Sequence, residues 1–176
     1  MPTRNLIRVA EETSNLVQRA IHETCARRNE SPEAYQAWQD ACARARQTTL
    51  PTDYLWSDEV AQKIKDGDRE YTDDALLFLE VDPWFDSSGY LKEHLLEKLR
   101  QAPLTEDDKA RIRKALIAVA GGRNRREFGR WCSLAVKVTT DEFERELEEL
   151  AKERDAASSG KFSFLLRYIR EHRHDY

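Results

Sequence analysis

Two stretches of this sequence carry side chains able to do chemistry that the rest of the chain does not suggest. The first is Arg123-Asn124-Arg125-Arg126-Glu127-Phe128-Gly129-Arg130-Trp131. Guanidinium groups are rigid forks of N–H donors that suit phosphates and carboxylates. The pattern places them at the start of a helix running from Asn124 to about Lys137, where the helix dipole favours acids over bases. Residues set against a local rule are candidates for function, which marks Arg123, Arg125, Arg126 and Arg130 as a binding surface. They could equally meet the acidic helix that follows. The second stretch is Asp82-Pro83-Trp84-Phe85-Asp86-Ser87-Ser88-Gly89-Tyr90. Trp84, Phe85 and Tyr90 sit in a corner between helices, where aromatic side chains either anchor a partner peptide or cap the end of the preceding helix.

Other chemistry is sparse. Asp66, Asp68 and Glu70 match the first ligands of a calcium loop, but Tyr71 stands where a glycine must turn the chain and Leu77 where a bidentate glutamate belongs. His22 lies one turn from Cys25, a spacing that permits contact without supplying an activated nucleophile. His94 has no partner in an HExxH pattern, and His172 and His174 lie on a tail expected to fray. Gly121-Gly122-Arg123 is followed by no lysine–serine pair, so it is no phosphate loop. Cys25, Cys42 and Cys132 are odd in number and widely spaced, which argues for reduced thiols rather than disulfides or zinc. The carboxylates fall in helical charge runs, not in apolar settings that would raise a pKa. No cofactor and no metal are expected.

The 176 residues suit a single domain, and 40% hydrophobic with 35% charged residues is the balance of a well-solvated helical protein. Charge is segregated. Leu50 to Asp86 carries a net −8, Lys109 to Lys137 a net +8, and Asp141 to Asp155 a net −5. Such zones either steer charged partners or neutralise one another. The N-terminus has no apolar signal core and no stretch is long enough to cross a bilayer, so a cytoplasmic protein with no membrane partner is expected. The start at Met1 reads as that of a whole gene product.

These residues must be positioned by helices. Leu6 to about Arg28 is predicted as the first, with Leu6, Val9, Thr13, Leu16, Val17, Ala20, Ile21 and Thr24 inward. Ser31-Pro32-Glu33 starts a second helix running to about Arg46, with Tyr35, Trp38, Ala41, Cys42 and Ala45 inward. Tyr54, Leu55 and Trp56 in the following connector are expected to plug a gap beside the core. Ser57 caps a short helix to Asp66. Ala75 to Val81 is almost continuously apolar, so a helix capped by Thr72 must be covered on most faces. Asp82-Pro83 stops it, because the residue before proline is pushed out of the helical region. Tyr90, Leu91, Leu95, Leu96 and Leu99 restart an amphipathic pattern. Thr105 and Asp108 form a capping box for a helix reaching Ala120. Thr140 caps Asp141 to about Ala157, Ser158-Ser159-Gly160 is a turn, and Phe162, Leu165, Leu166 and Ile169 carry a last helix before Arg170 to Tyr176 fray.

From Thr72 onward the pattern repeats. Thr72–Arg100, Thr105–Lys137 and Thr140–His172 each read as threonine cap, helix, turn and second helix, at a period of roughly 35 residues. On these caps and this spacing, the last three-fifths or so of the chain resembles an α-solenoid of the HEAT or armadillo kind. The resemblance implies an all-α fold of stacked helix pairs, with an irregular multi-helix bundle as the alternative. The organisation expected is one all-helical domain, residues 1–176: an N-terminal helix pair (1–47), a connector with a short helix (48–71) and three helix pairs (72–176). The function that fits is a non-enzymatic protein-interaction module with a protein partner. A nucleic-acid-binding protein using the same arginines, or an enzyme with a composite site, are the alternatives.

Overall fold

Ala75, Leu76, Phe78 and Leu79 are each no more than 2% exposed, and the rest of the chain is arranged to cover them. The computed structural model describes residues 3–153 and 156–173. Among these the fold is all-helical: α1 (Arg4–Arg27), α2 (Pro32–Gln47), a 3₁₀ turn (Asp53–Trp56), α3 (Asp58–Lys65), α4 (Arg69–Val81), α5 (Ser88–Gln101), α6 (Glu106–Ala120), α7 (Phe128–Val138), α8 (Asp141–Glu153) and α9 (Ala156–His172). Helices α1, α4 and α6 pack side by side in one layer, and α3, α5, α7 and α9 in a second. Helix α2 packs on α1, and α8 on α9, at the two ends. One connected apolar cluster runs through the stack from Ile7 to Ile169. The helices of the second half form stacked pairs, α4 with α5, α6 with α7 and α8 with α9.

Most helix boundaries follow from local chemistry. Ser31 and Ser57 accept hydrogen bonds from the N–H groups of Ala34 and Val60, as capping serines do. Thr105 and Asp108 satisfy each other's backbone N–H in both directions, a complete capping box. Thr140 caps α8 through the N–H of Phe143. The C-termini are closed from the neighbouring helix: Lys137 of α7 donates to the carbonyls of Arg100 and Ala102 at the end of α5. Arg113 of α6 donates to Val138 O at the end of α7. Both place a cation where the helix dipole is negative.

Several expectations are corrected. Thr72 does not cap α4. Asp68 does, and Thr72 lies inside the helix, 4% exposed and with no partner for its hydroxyl. The inward face of α1 is centred on Ile7 and Ala10, while Leu6, Val9 and Leu16 are exposed, because α2 and α4 approach α1 about one residue round from the apolar stripe. Tyr35 is likewise exposed, since only the Ala41 side of α2 meets α1. Leu55 is buried and Tyr54 partly so, but Trp56 is 41% exposed and lies beside His94. Ser158-Ser159-Gly160 lies within α9 rather than in a turn. One glycine in a helix costs about 1 kcal/mol, less than the burial of Phe162, Leu165, Leu166 and Ile169 on the same helix returns. The junction at 154–155, and the His174–Tyr176 end of the tail expected to fray, lie outside the described residues.

The capping box also ties two helices together. Asp108 is 1% exposed and accepts from Arg69 at 2.7 and 2.9 Å as well as from Thr105. Burial alone would raise its pKa, but the Thr105 hydrogen bonds and the Arg69 guanidinium outweigh burial and hold it below the ordinary aspartate value. The charged form therefore stabilises the fold fully above the unfolded pKa of about 4, and that contribution is lost as pH falls through the lowered folded value. Asp108→Asn is expected to cost about 2 kcal/mol at pH 7 and Thr105→Ala about 1 kcal/mol. Urea denaturation from pH 7 to pH 3 should give a flatter acid limb for Asp108→Asn than for the wild type.

Candidate functional site

The four arginines do not start a helix. Arg123, Arg125 and Arg126 lie in the connection between α6 and α7, and only Arg130 is in the first turn of α7. The argument from the helix dipole therefore does not apply to the first three. Their positions come instead from what they touch. The acids that Arg125, Arg126 and Arg130 meet are Asp82 at the end of α4, Glu93 and Glu97 of α5, and Glu127. Asp141, Glu144 and Glu148 of α8 pair instead with Arg170 of α9 and with Arg173 just past its end.

At the centre is Lys92, 1% exposed. Its ammonium donates to Asp82 Oδ1 at 2.6 Å and to Pro83 O at 2.7 Å, and lies 3.9 Å from Glu127 Oε1. Arg125, its side chain only 10% exposed, donates to the same Asp82 oxygen and also lies 3.9 Å from Glu127. Two cations and two carboxylates thus alternate in a neutral buried cluster. Asp82 reaches it by adopting a left-handed conformation (φ 54°) as the C-cap of α4, one of two non-glycine residues with positive φ among those described. The other, Ser87 (φ 65°), is the residue before α5. Both bracket the aromatic corner, and sites where backbone strain is held by surrounding contacts are often functional.

The corner is stitched to α1 by a polar row. Glu11 accepts from the Trp84 N–H at 2.7 Å, Asn15 donates to Trp84 O at 3.0 Å and Gln18 donates to Asp86 at 3.1 Å. Phe85 turns inward and packs edge-on against Phe78, with ring centroids 6.4 Å apart. It is partly buried and packs against the core at the end of the buried helix. Trp84 and Tyr90 turn outward, 52% and 54% exposed. Tyr90 thus leaves the apolar face expected of it, and Lys92 joins Leu91, Leu95, Leu96 and Leu99 in burial.

On these two rings the arginines come to rest. The Arg123 guanidinium lies 3.5 Å from the Trp84 ring centroid, and that of Arg126 lies 3.8 Å from Tyr90. Arg126 also pairs with Glu93 at 3.1 Å and Arg130 with Glu97 at 3.4 Å. A Cβ at Gly89 would stand 3.2 Å from Arg126 Cδ, so the glycine makes room for this stem. The result is a groove of about 490 Å³ walled by Asn15, Gln18 and His22 of α1, the 84–90 corner, and residues 124–127. Of the seven candidate residues, Trp84, Phe85, Tyr90, Arg125 and Arg126 line this groove, Arg123 lies against Trp84 beside it, and Arg130 lines a separate hollow with Glu97 and Tyr168. Arg123, Arg126, Trp84 and Tyr90 form the outer surface. Arg125 and Phe85 are partly buried at its back, and Arg130 lies further along α7.

Lys92, Glu127 and the α1 row were not singled out from the sequence. Lys92 had a readable signal, since it shares a helical face with Leu95, Leu96 and Leu99. The α1 residues had none, because their role depends on how α1 crosses the corner. Elsewhere, Ser133 Oγ and Tyr168 Oη lie 3.2 Å apart near His172, but the His172 Nδ1 faces the Tyr168 carbonyl at 2.9 Å, so no base is aligned on either hydroxyl. Burial pushes the Cys132 thiol up to about 12, a packed side chain and not a nucleophile. Among the described residues no group of three or more His, Cys, Asp or Glu is placed to hold a metal. No described helix is long and apolar enough to cross a membrane.

Compared with family models, curated proteins and solved structures, the chain has no match.

If the buried cluster anchors the site, removing its central charge must be costly. Lys92→Met is expected to destabilise the protein by about 3 kcal/mol, because two carboxylates lose a cation. Lys92→Met/Glu127→Gln should recover part of that loss, a coupling that denaturant melts of the two single variants and the double variant would reveal.

Proposed function

We propose that this protein is a non-enzymatic protein-interaction module whose docking surface is the groove between α1, the 84–90 corner and the 123–127 connection. The single observation that carries this reading is the convergence of two sequence-distant clusters on one surface. Trp84 and Tyr90 stay half-exposed while the Arg123 and Arg126 guanidinium groups lie over their rings. Interface anchors are enriched in tryptophan, tyrosine and arginine, and they bind best when already held in place.

The scaffold in this reading is one all-helical domain, a short HEAT-like array acting in the cytoplasm. Repetition is supported by the α5–α7 contact. Arg126 faces Glu93 and Arg130 faces Glu97, each 33 residues apart, so equivalent positions of successive pairs lie side by side. The nucleic-acid alternative is less well supported. Arg125, Arg126 and Arg130 already meet carboxylates, and guanidinium groups already lie on the two exposed rings on which bases would stack.

The test is capture from a cell lysate with and without nuclease, comparing wild type with Trp84→Ala and with Arg123→Glu/Arg126→Glu. Arg125 is left intact because it belongs to the buried cluster. A defined protein should be recovered regardless of nuclease and lost from both variants. Recovery that persists in both variants would remove this groove from consideration, and recovery abolished by nuclease would favour nucleic acid.

A further inference from the structure

We infer that the segment taken up by the groove is an acidic peptide whose carboxylates bind Arg126 and, beside the groove, Arg123. This rests on the groove being a protein-docking surface, and it adds the chemistry of the partner.

Arg123 is the cation that decides the matter. It is exposed, no carboxylate pairs with it among the described residues, and its guanidinium carbon lies 3.5 Å from the Trp84 ring centroid. A guanidinium without an acidic partner can take a carboxylate in bidentate geometry. Arg126 is held in a similar way, its stem over Gly89 and its head on Tyr90, with Nε bonded to Glu93. The first turn of α5 contains no acid and α5 has no side-chain cap, and its N-terminal end borders this groove. That positive helix end adds to the two guanidinium groups.

The same edge carries Asp86, Glu93 and Glu97. A phosphate backbone, charged at every step, would run against these carboxylates. A peptide can place its acids opposite the arginines and neutral residues elsewhere, so complementarity here selects a peptide.

Fluorescence polarisation at low salt would test this with three labelled probes: a decapeptide alternating Glu and Leu, its Gln/Leu counterpart, and a ten-nucleotide oligouridine. The wild type should bind the Glu peptide at least tenfold more tightly than the Gln peptide. Arg123→Gln/Arg126→Gln should erase that difference, while Arg145→Gln, exposed on α8, should leave it intact. Should the double variant unfold, Arg123→Gln alone gives the readout, since it breaks no ion pair. Equal binding of the two peptides, no binding of either, binding unaltered in the arginine variants, or preference for the RNA would each overturn the inference. Failure of both peptides alongside a groove-dependent protein capture from lysate would reject the acidic ligand and leave the docking surface standing.

Discussion

An ammonium group shut away from water must be surrounded by acceptors, and the corner of this protein is built to meet that demand at Lys92. The lysine sits on the buried face of α5, among leucines that cannot serve it. Its acceptors have to come from outside the helix. Asp82 turns into a left-handed conformation to supply one, the Pro83 carbonyl supplies a second, and Glu127 approaches from the far side. Arg125 then balances the second carboxylate and fastens the α6–α7 connection to the end of α4. This cluster joins the aromatic corner to the arginine connection. The desolvation of buried charge makes such an arrangement weak as a source of stability, yet strict in the geometry it enforces.

That division of labour changes the meaning of a basic run. A net +8 between Lys109 and Lys137 suggests a surface that gathers anions. In three dimensions most of it is answered within the molecule, by Asp73, Glu80, Asp82, Glu93, Glu97 and helix-terminal carbonyls. What is left is a local feature, in which orientation and open hydrogen-bonding edges matter more than total charge.

How much of this could be read in the sequence depended on the range of the physics involved. Helix class, caps at Ser31, Ser57, Thr105 and Thr140, and the stop at Asp82-Pro83 are local, and they were legible. Thr72 misled because a threonine before an apolar run looks like a cap whether or not the helix has already begun at Arg69. The inward face of α1 was misjudged because Leu6, Val9 and Leu16 are apolar yet lie off the line where α2 and α4 approach. For the site, residue types were legible and roles were not. Arginine next to aromatic signals recognition, but only the fold separates Arg125, locked against Asp82, from Arg123, which meets no carboxylate among the described residues. The paired burial of Lys92 and Glu127 depends on contacts 35 residues apart in the chain, which no local pattern encodes.

The attachment of α1 has a consequence for the groove as a mechanical object. Helices α1 and α2 contribute only Ile7, Ala10 and Ala41 to the fully buried core, whereas α4 and α5 are buried along much of their length. Local opening of a protein begins where few apolar contacts hold an element in place. The α1–α2 hairpin should therefore exchange its amide hydrogens sooner than the helices behind it. Asn15, Gln18 and His22 of α1 form one wall of the groove, so that wall is expected to open more readily than the one set by the Lys92 cluster. In the proposed docking role, such a difference between the two walls would let one groove accommodate segments of different bulk.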